Sequence, residues 1–73
     1  MPLVVAPIGK NLKVVKIVAD QNVKKHLANL GIVVDSVLSI ISVCEGSVIC
    51  QVKDGRLALD SDIATKIFVL EEV

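Results

Sequence analysis

The feature that most constrains the fold is an Asp-Gly pair at residues 54–55, between two runs in which apolar and polar residues alternate. Asp-Gly favours a type I′ turn, because both central positions of that turn need positive φ angles. Such a two-residue loop joins adjacent antiparallel strands and fixes their register. We therefore predict a β-hairpin with these facing pairs: Lys53 and Arg56, Val52 and Leu57, Gln51 and Ala58, Cys50 and Leu59.

This register places two cations, Lys53 and Arg56, opposite each other at the hairpin tip. Like charges directly opposite each other cost some stability, and an exposed basic tip is suited to an acidic partner. An arginine finger for a GTPase is the more specific interpretation of Arg56, and a solvated hairpin end is the simpler one.

The remaining elements are short and follow one another without a linker, a low-complexity run or a repeat. Strands are expected at 12–19, 37–43, 47–53, 56–59 and 67–70. A helix is expected over 22–30, with Asp20 or Asn22 as N-cap and Gly31 just beyond its end. A second, short helix before the last strand is capped by Asp60 or Ser61 and ends near residue 65.

The apolar residues of 37–43 occupy both parities, which is typical of a strand that bends through a small barrel and touches the core on both sides of the bend. The prediction for the fold is mainly β with short helices: a small, partly open barrel of about five strands. One helix lies between the first two strands, and the short helix precedes the last.

Composition limits the classes of function. The chain has 73 residues, one domain spanning 1–73, and its eight basic and eight acidic side chains balance. A nucleic-acid binder would carry an excess of positive charge and exposed aromatic residues, but Phe68 is the only aromatic. No apolar run reaches the roughly 18 residues of a membrane span, and no secretory signal is visible. We expect a cytoplasmic protein that binds no nucleic acid and does not insert into a membrane.

The cysteines and the single histidine form no recognisable metal or catalytic pattern. A two-residue loop at 45–46 pairs Cys44 with Ser47 and places Cys44 and Cys50 on opposite faces, whereas a three-residue loop would allow them to meet. Two thiolates supply at most half of a closed zinc site. His26 has no nucleophile or orienting group nearby in the sequence. We therefore predict no enzyme activity, no metal ligand and no cofactor.

Exposed basic residues are the candidate partner-binding sites. Lys24, Lys25 and His26 form the outer face of the predicted helix, and Lys53 and Arg56 form the hairpin tip. A short basic run is usually a solvated surface, and contact with anionic lipid is an alternative to contact with protein. Weak self-association through an exposed edge strand also stays open.

With the elements placed, the order of motifs resembles the FeoA family, small cytoplasmic proteins of ferrous iron uptake. The resemblance spans nearly the whole chain. It is carried by Pro2-Leu3, Ala6-Pro7-Ile8-Gly9, Val14-Val15-Lys16-Ile17, Leu27-Ala28-Asn29-Leu30-Gly31-Ile32, residues 48–52, Gly55-Arg56-Leu57-Ala58-Leu59-Asp60 and Ala64-Thr65-Lys66-Ile67-Phe68-Val69. Two departures stand out: Val34-Asp35 replaces the family's usual Pro-Gly pair, and the common Pro of the next hairpin is absent.

The resemblance implies an SH3-like barrel that acts by contact, as an accessory to the membrane transporter FeoB and its cytoplasmic GTP-binding domain. A similar barrel forms the C-terminal domain of the DtxR-type iron-dependent repressors. The alternative is therefore a metal-sensing module that binds Fe²⁺ or another transition metal through Cys44, Cys50 or His26. The chain shows no helix-turn-helix and begins with Met1, which we interpret as favouring a free-standing module.

Overall fold

The computed structural model describes residues 1–53 and 55–72. Five antiparallel strands form one sheet with the order β4-β3-β2-β1-β5. The strands are β1 (Leu12–Ile17), β2 (Val37–Cys44), β3 (Ser47–Val52), β4 (Gly55–Asp60) and β5 (Ile67–Glu71). Helix α1 (Gln21–Asn29) joins β1 to β2, helix α2 (Ser61–Ala64) precedes β5, and a 3₁₀ turn (Leu3–Val5) precedes β1. The predicted class is confirmed, and the sheet is not closed within the described residues, so the small SH3-like barrel is partly open.

The core is aliphatic. Among the described residues no polar or charged side chain is buried. The buried side chains come from every strand, from both helices and from the N-terminal segment: Leu3, Ala6, Leu12, Val14, Leu27, Ile32, Leu38, Ile40, Val48, Cys50, Leu59, Ala64, Ile67 and Val69. Burial of this shared apolar face is the main favourable term in folding such a small domain.

Helix α1 is fixed at both ends by hydrogen bonds that the sequence predicts. Asp20 is the N-cap, and its Oδ1 accepts the backbone N–H of Val23 at 2.9 Å. Beyond the last turn Gly31 has a φ of 93°, and the N–H of Ile32 donates to the carbonyl of Leu27 at 2.8 Å. This is a Schellman motif, which turns the chain sharply and places Ile32 beside Leu27 in the core.

The turn between α1 and β2 contains the one described non-glycine residue with a positive φ, Asp35 at 78°. The N–H of Ser36 donates to the carbonyl of Val33 at 3.0 Å, which closes a four-residue turn with Asp35 in its third position. A type II turn has this pattern, with glycine preferred in third place and proline in second. Val34-Asp35 therefore forms the type of turn that a Pro-Gly pair favours. Asp is one of the few non-glycine residues that adopt a positive φ at its third position.

The register of the β3–β4 hairpin differs from the predicted one by two residues. The observed pairs are Val52 with Gly55, Gln51 with Arg56, Cys50 with Leu57, Ile49 with Ala58, Val48 with Leu59 and Ser47 with Asp60. The predicted pair of Lys53 with Arg56 is therefore wrong. Gly55 has a φ of 147° and belongs to the strand, a conformation open to glycine; the Asp54 half of the predicted turn lies outside the described residues. A shift of two residues keeps each side chain on its predicted face.

Strand β2 bends as expected, and the bend changes which of its residues face the core side of the sheet. The pairing with β3 shifts by one residue at Ile41, between Ile40 and Ser42, which is the signature of a β-bulge. Ile40 is buried, whereas Val37 and Val43 are about half exposed. After the bulge Val43 pairs with the buried Val48, so it lies on the same face of the sheet as Leu38 and Ile40. Both parities of β2 therefore turn towards the core side, as predicted, but Val43 at the end of the strand stays half exposed and does not join the core.

Helix α2 begins without the carboxylate cap that the sequence suggested. Asp60 occupies the N-cap position, but its side chain makes no hydrogen bond to the helix. The helix is held instead through its backbone, since the N–H of Ser61 donates to the carbonyl of Gly46 at 3.1 Å. Thr65 closes the other end by donating its Oγ1 hydrogen to the carbonyl of Asp62 at 2.7 Å. The carboxylate of Asp60 therefore stays exposed.

The strained turn predicts a difference between two substitutions of Asp35. Asp35→Gly and Asp35→Ala both remove the exposed ion pair with Lys13, whose Nζ lies 3.6 Å from Asp35 Oδ1. Only glycine adopts the positive φ without steric cost, so we expect Asp35→Gly to be more stable than Asp35→Ala by about 1 kcal/mol. Urea unfolding followed by circular dichroism measures the difference. Equal stability of the two variants would contradict the assigned turn.

Burial of Cys50 predicts a pH dependence of stability. Its thiol donates to the carbonyl of Leu57 at 3.7 Å, and desolvation by burial raises the pKa of Cys50 above the ordinary value of 9.0. The folded protein then holds this proton more tightly than the unfolded chain. The resulting stability is fully present below the unfolded pKa and is lost as the pH rises from about 9 towards the folded pKa.

We expect Cys50→Ala to reduce the fall in the free energy of unfolding between pH 8 and 10, on the scale of about one ionisable group. The matched control is Cys44→Ala, because Cys44 is exposed and its removal should leave the alkaline fall as in the unsubstituted protein. Denaturant unfolding at each pH provides the measurement. A Cys50→Ala variant with an undiminished alkaline fall would show that this thiol does not contribute.

Candidate functional site

An open groove of about 420 Å³ lies between the end of α1 and the β3–β4 hairpin. One wall is the C-terminal end of α1 and the turn that follows, and the other belongs to β3 and β4. Its lining residues are Ala28, Asn29, Leu30, Gly31, Val52, Gly55, Arg56 and Leu57. We call this the α1–β4 groove.

The α1–β4 groove lies between two parts of the predicted partner surface, the basic residues of α1 and Arg56 of the hairpin. Lys24 and Lys25 precede Ala28 by four and three residues, so they lie one helical turn before the groove and on the same face of α1. Arg56 lines the opposite wall. Arg56 is thus the one charged residue that lines the groove, and Lys24 and Lys25 lie on α1 one helical turn before its other wall.

All five predicted partner-binding residues are exposed: Lys24, Lys25, His26, Lys53 and Arg56. Arg56 Nε donates to Gln51 Oε1 at 3.4 Å, across the observed strand pair. The only ion pair within the described residues is the one of Lys13 with Asp35. None of the four Lys and Arg side chains of this set therefore forms an ion pair with a carboxylate of residues 1–53 or 55–72.

The floor of the α1–β4 groove is partly apolar. Leu30 is 36% exposed at its rim, and Val52 and Leu57 are half-buried and pack against the core. An apolar floor beside exposed cations is the arrangement found in protein–protein contacts, where a desolvated centre is surrounded by a polar rim.

A second groove has the opposite charge and was not predicted. It has a volume of about 570 Å³ and lies over the outer face of β1 and β5. Its lining residues are Lys13, Val15, Asp35, Leu70, Glu71 and Glu72. These come from three separate segments. The pairing of β1 with β5 brings Leu70 and Glu71 beside Lys13, and the hydrogen bond from the N–H of Asp35 to the carbonyl of Val14 holds Asp35 there. No local spacing in the sequence gives a signal for it.

The structure separates the two cysteines as the two-residue loop predicts. Cys44 pairs with Ser47 and is exposed, whereas Cys50 is buried in the core. Within residues 1–53 and 55–72 no three or more His, Cys, Asp or Glu side chains lie close enough to hold a metal ion together. His26 stands exposed on α1. Cys44 and Cys50 therefore cannot bind one ion jointly in this fold.

No helix in the described part of the chain has the length and apolar character needed to cross a membrane.

Several solved structures share this fold. The crystal structure of an iron uptake regulatory protein (FeoA) matches with a TM-score of 0.87 at 22% identity, covering 99% of this chain and 96% of that one. The solution structure of the FeoA protein from Chlorobium tepidum matches with a TM-score of 0.89 at 20% identity, over 100% of this chain and 71% of that one. At these identities the likeness establishes the fold.

A manganese-dependent transcriptional repressor in complex with manganese matches with a TM-score of 0.88 at 26% identity. The match covers 99% of this chain but only 36% of the repressor, so the chain corresponds to about a third of that protein. No relative of the chain is found among curated protein sequences.

The family assignment rests on nearly the whole length of the chain. The FeoA domain matches residues 1–71, and the five-stranded SH3-like sheet with its two helices agrees with the solved FeoA structures. The same stretch includes both walls of the α1–β4 groove and the segments that carried the resemblance in the sequence. This chain belongs to the FeoA domain family, which is connected with ferrous iron transport.

Proposed function

We propose that this protein is a small cytoplasmic accessory or regulatory protein of ferrous iron uptake that binds the cytoplasmic part of the FeoB transporter. Membership of the FeoA domain family supports the link to iron transport. The observation that supports the contact itself is the α1–β4 groove, because its apolar floor lies beside Arg56 on β4 and one helical turn from the exposed Lys24 and Lys25 on α1.

The chemistry of the groove defines the partner surface that would fit it. Lys24 and Lys25 on α1 and Arg56 on β4 would face carboxylates, while Leu30 and Leu57 would cover an apolar side chain between them. Opposite charges at the rim guide the approach and fix the orientation of the partner. The apolar floor, once covered, contributes by excluding water. The partner surface must therefore carry carboxylates for the rim and an apolar side chain for the floor.

Arg56 permits a sharper version of this proposal, in which it acts as an arginine finger on the GTP-binding domain. Its Nε contact with Gln51 is long, at 3.4 Å, and leaves the guanidinium free to reach a nucleotide. Substitution by lysine keeps the charge but loses the planar, bidentate fork. An arginine finger would therefore show as lost stimulation of GTP hydrolysis in Arg56→Lys with binding retained, whereas a simple contact residue would leave hydrolysis unchanged.

A metal-sensing role is the second candidate, favoured by the 26% identity with the manganese-dependent repressor. The opposite placement of Cys44 and Cys50 limits such a site to one of these thiols with other ligands. Calorimetry of the reduced protein with Fe²⁺ and with Mn²⁺ tests it. Binding that is lost in Cys50→Ala or His26→Ala would support metal sensing through these residues, and binding unchanged in every variant would exclude them as ligands.

The transporter proposal predicts that charge reversal at the groove weakens binding. We expect the double variant Lys24→Glu/Lys25→Glu, and separately Arg56→Glu, to raise the dissociation constant about tenfold, because each change removes an attraction worth up to about 1 kcal/mol and adds a repulsion of similar size. Isothermal titration calorimetry with the cytoplasmic part of FeoB, with and without nucleotide and Fe²⁺, measures the change. Higher salt should weaken binding of the unsubstituted protein.

Lys10→Glu is the matched control, since Lys10 is exposed in the loop before β1, a segment that forms neither wall of the groove. It should bind like the unsubstituted protein. Equal losses for Lys10→Glu and Arg56→Glu would mean that total charge, not the groove, determines binding. Absence of any association under all conditions would contradict the proposed function itself.

A further inference from the structure

The two outer strands of the sheet differ in how well their free edges are covered. Beside β5 the N-terminal segment supplies partners, since the N–H of Val69 donates to the carbonyl of Met1 at 2.8 Å and Pro2 forms a bridge with Phe68. For β4 the only strand neighbour within residues 1–53 and 55–72 is β3. An open edge of this kind presents backbone groups that can pair with another strand.

The sequence of β4 is complementary to itself in the antiparallel direction. Its three outward side chains are exposed, and they are Arg56, Ala58 and Asp60. The cation lies two residues before Ala58 and the anion two residues after it. If two copies pair antiparallel about Ala58, Arg56 of each copy therefore faces Asp60 of the other.

The inner face of the strand fits the same register. Leu57 and Leu59 point to the side of the sheet that forms the core, and pairing about Ala58 places Leu57 of one copy opposite Leu59 of the other. In this register core-side residues of one copy lie opposite core-side residues of the other, and outward residues lie opposite outward residues. Each face of the sheet is therefore continuous across the junction. At the centre two alanines meet, and their small side chains cause no steric conflict.

We propose that this protein forms a symmetric dimer in which β4 pairs antiparallel with β4 of a second copy, about a two-fold axis at Ala58. The contact is isologous, so one patch meets its own copy and the assembly closes at two chains. Two ion pairs of Arg56 with Asp60 border the junction and select this register over its alternatives. The two open sheets thereby become one continuous sheet.

Three features of the free chain support this use of β4. The carboxylate of Asp60 neither caps α2 nor forms an ion pair within the described residues. The side chain of Arg56 makes a single long contact, at 3.4 Å with Gln51, among those same residues. The α1–β4 groove leaves open space beside Gly55, Arg56 and Leu57, where the end of the second strand would lie.

The dimer has one consequence that rests on the proposed function above. Arg56 cannot face Asp60 of a second copy and a carboxylate of the transporter at the same time. Self-association and transporter binding would therefore compete, and the dimer would withdraw the protein from the transporter at high concentration.

Charge reversal within β4 tests the dimer. Sedimentation equilibrium from micromolar to millimolar concentration should show a transition from the 7.8 kDa chain to a species of twice that mass. Arg56→Glu alone or Asp60→Lys alone places like charges opposite each other at both borders, so each should raise the dissociation constant of the dimer at least about tenfold. The double variant Arg56→Glu/Asp60→Lys restores opposite charges and should dimerise like the unsubstituted protein.

Mixing the two single variants is the most selective arm of the experiment. At positions 56 and 60 the Arg56→Glu chain carries two anions, and the Asp60→Lys chain carries two cations. Every facing pair in a mixed dimer is therefore again of opposite charge. We expect the mixture to dimerise although neither variant does so alone. Lys10→Glu, in the exposed loop before β1, is the control and should dimerise normally, and circular dichroism confirms that each variant is folded.

A protein that stays monomeric to millimolar concentration would overturn the proposal. So would single variants that dimerise as well as the unsubstituted chain, or a mixture in which no dimer forms. None of these results bears on binding to the transporter, which the Lys24→Glu/Lys25→Glu variant measures separately.

Discussion

The positions of the two candidate grooves depend on two hydrogen bonds that tie the turn after α1 to β1. The N–H of Asp35 donates to the carbonyl of Val14 at 2.7 Å, and the N–H of Val14 donates to the carbonyl of Ser36 at 2.8 Å. They place the start of β2 beside β1. The chain must therefore reverse its direction within the short connection between α1 and β2. The Schellman turn at Gly31 makes this reversal possible. The end of α1 consequently lies beside β4, and the groove forms there.

Charge on this protein is balanced in total but separated in space. Eight basic and eight acidic side chains give a formal net charge of zero, yet the one charged residue that lines the α1–β4 groove is Arg56, and the groove over β1 and β5 is lined by three carboxylates and one lysine. A neutral chain can therefore still present an oriented, charged surface to a partner. Since no described polar side chain is buried, the charges all lie where they can act by contact.

Sequence reasoning was most accurate where a local rule determines the structure. The cap at Asp20, the turn at Gly31 and the opposite faces of Cys44 and Cys50 follow from side-chain chemistry and from the two-residue period of strands. The hairpin register was missed because Gly55 could serve either in the loop or in the strand. The two grooves were missed because each joins segments that meet only through the sheet order β4-β3-β2-β1-β5, which local patterns do not contain.

The central claim is that the α1–β4 groove is the surface that meets the transporter. Amide chemical shifts of ¹⁵N-labelled protein, followed while the cytoplasmic part of FeoB is added, test it most directly. The account predicts that the largest changes fall within residues 24–31 and 52–57, with small changes elsewhere. Changes concentrated at Lys13, Asp35 and Leu70, with the α1–β4 groove unaffected, would contradict it.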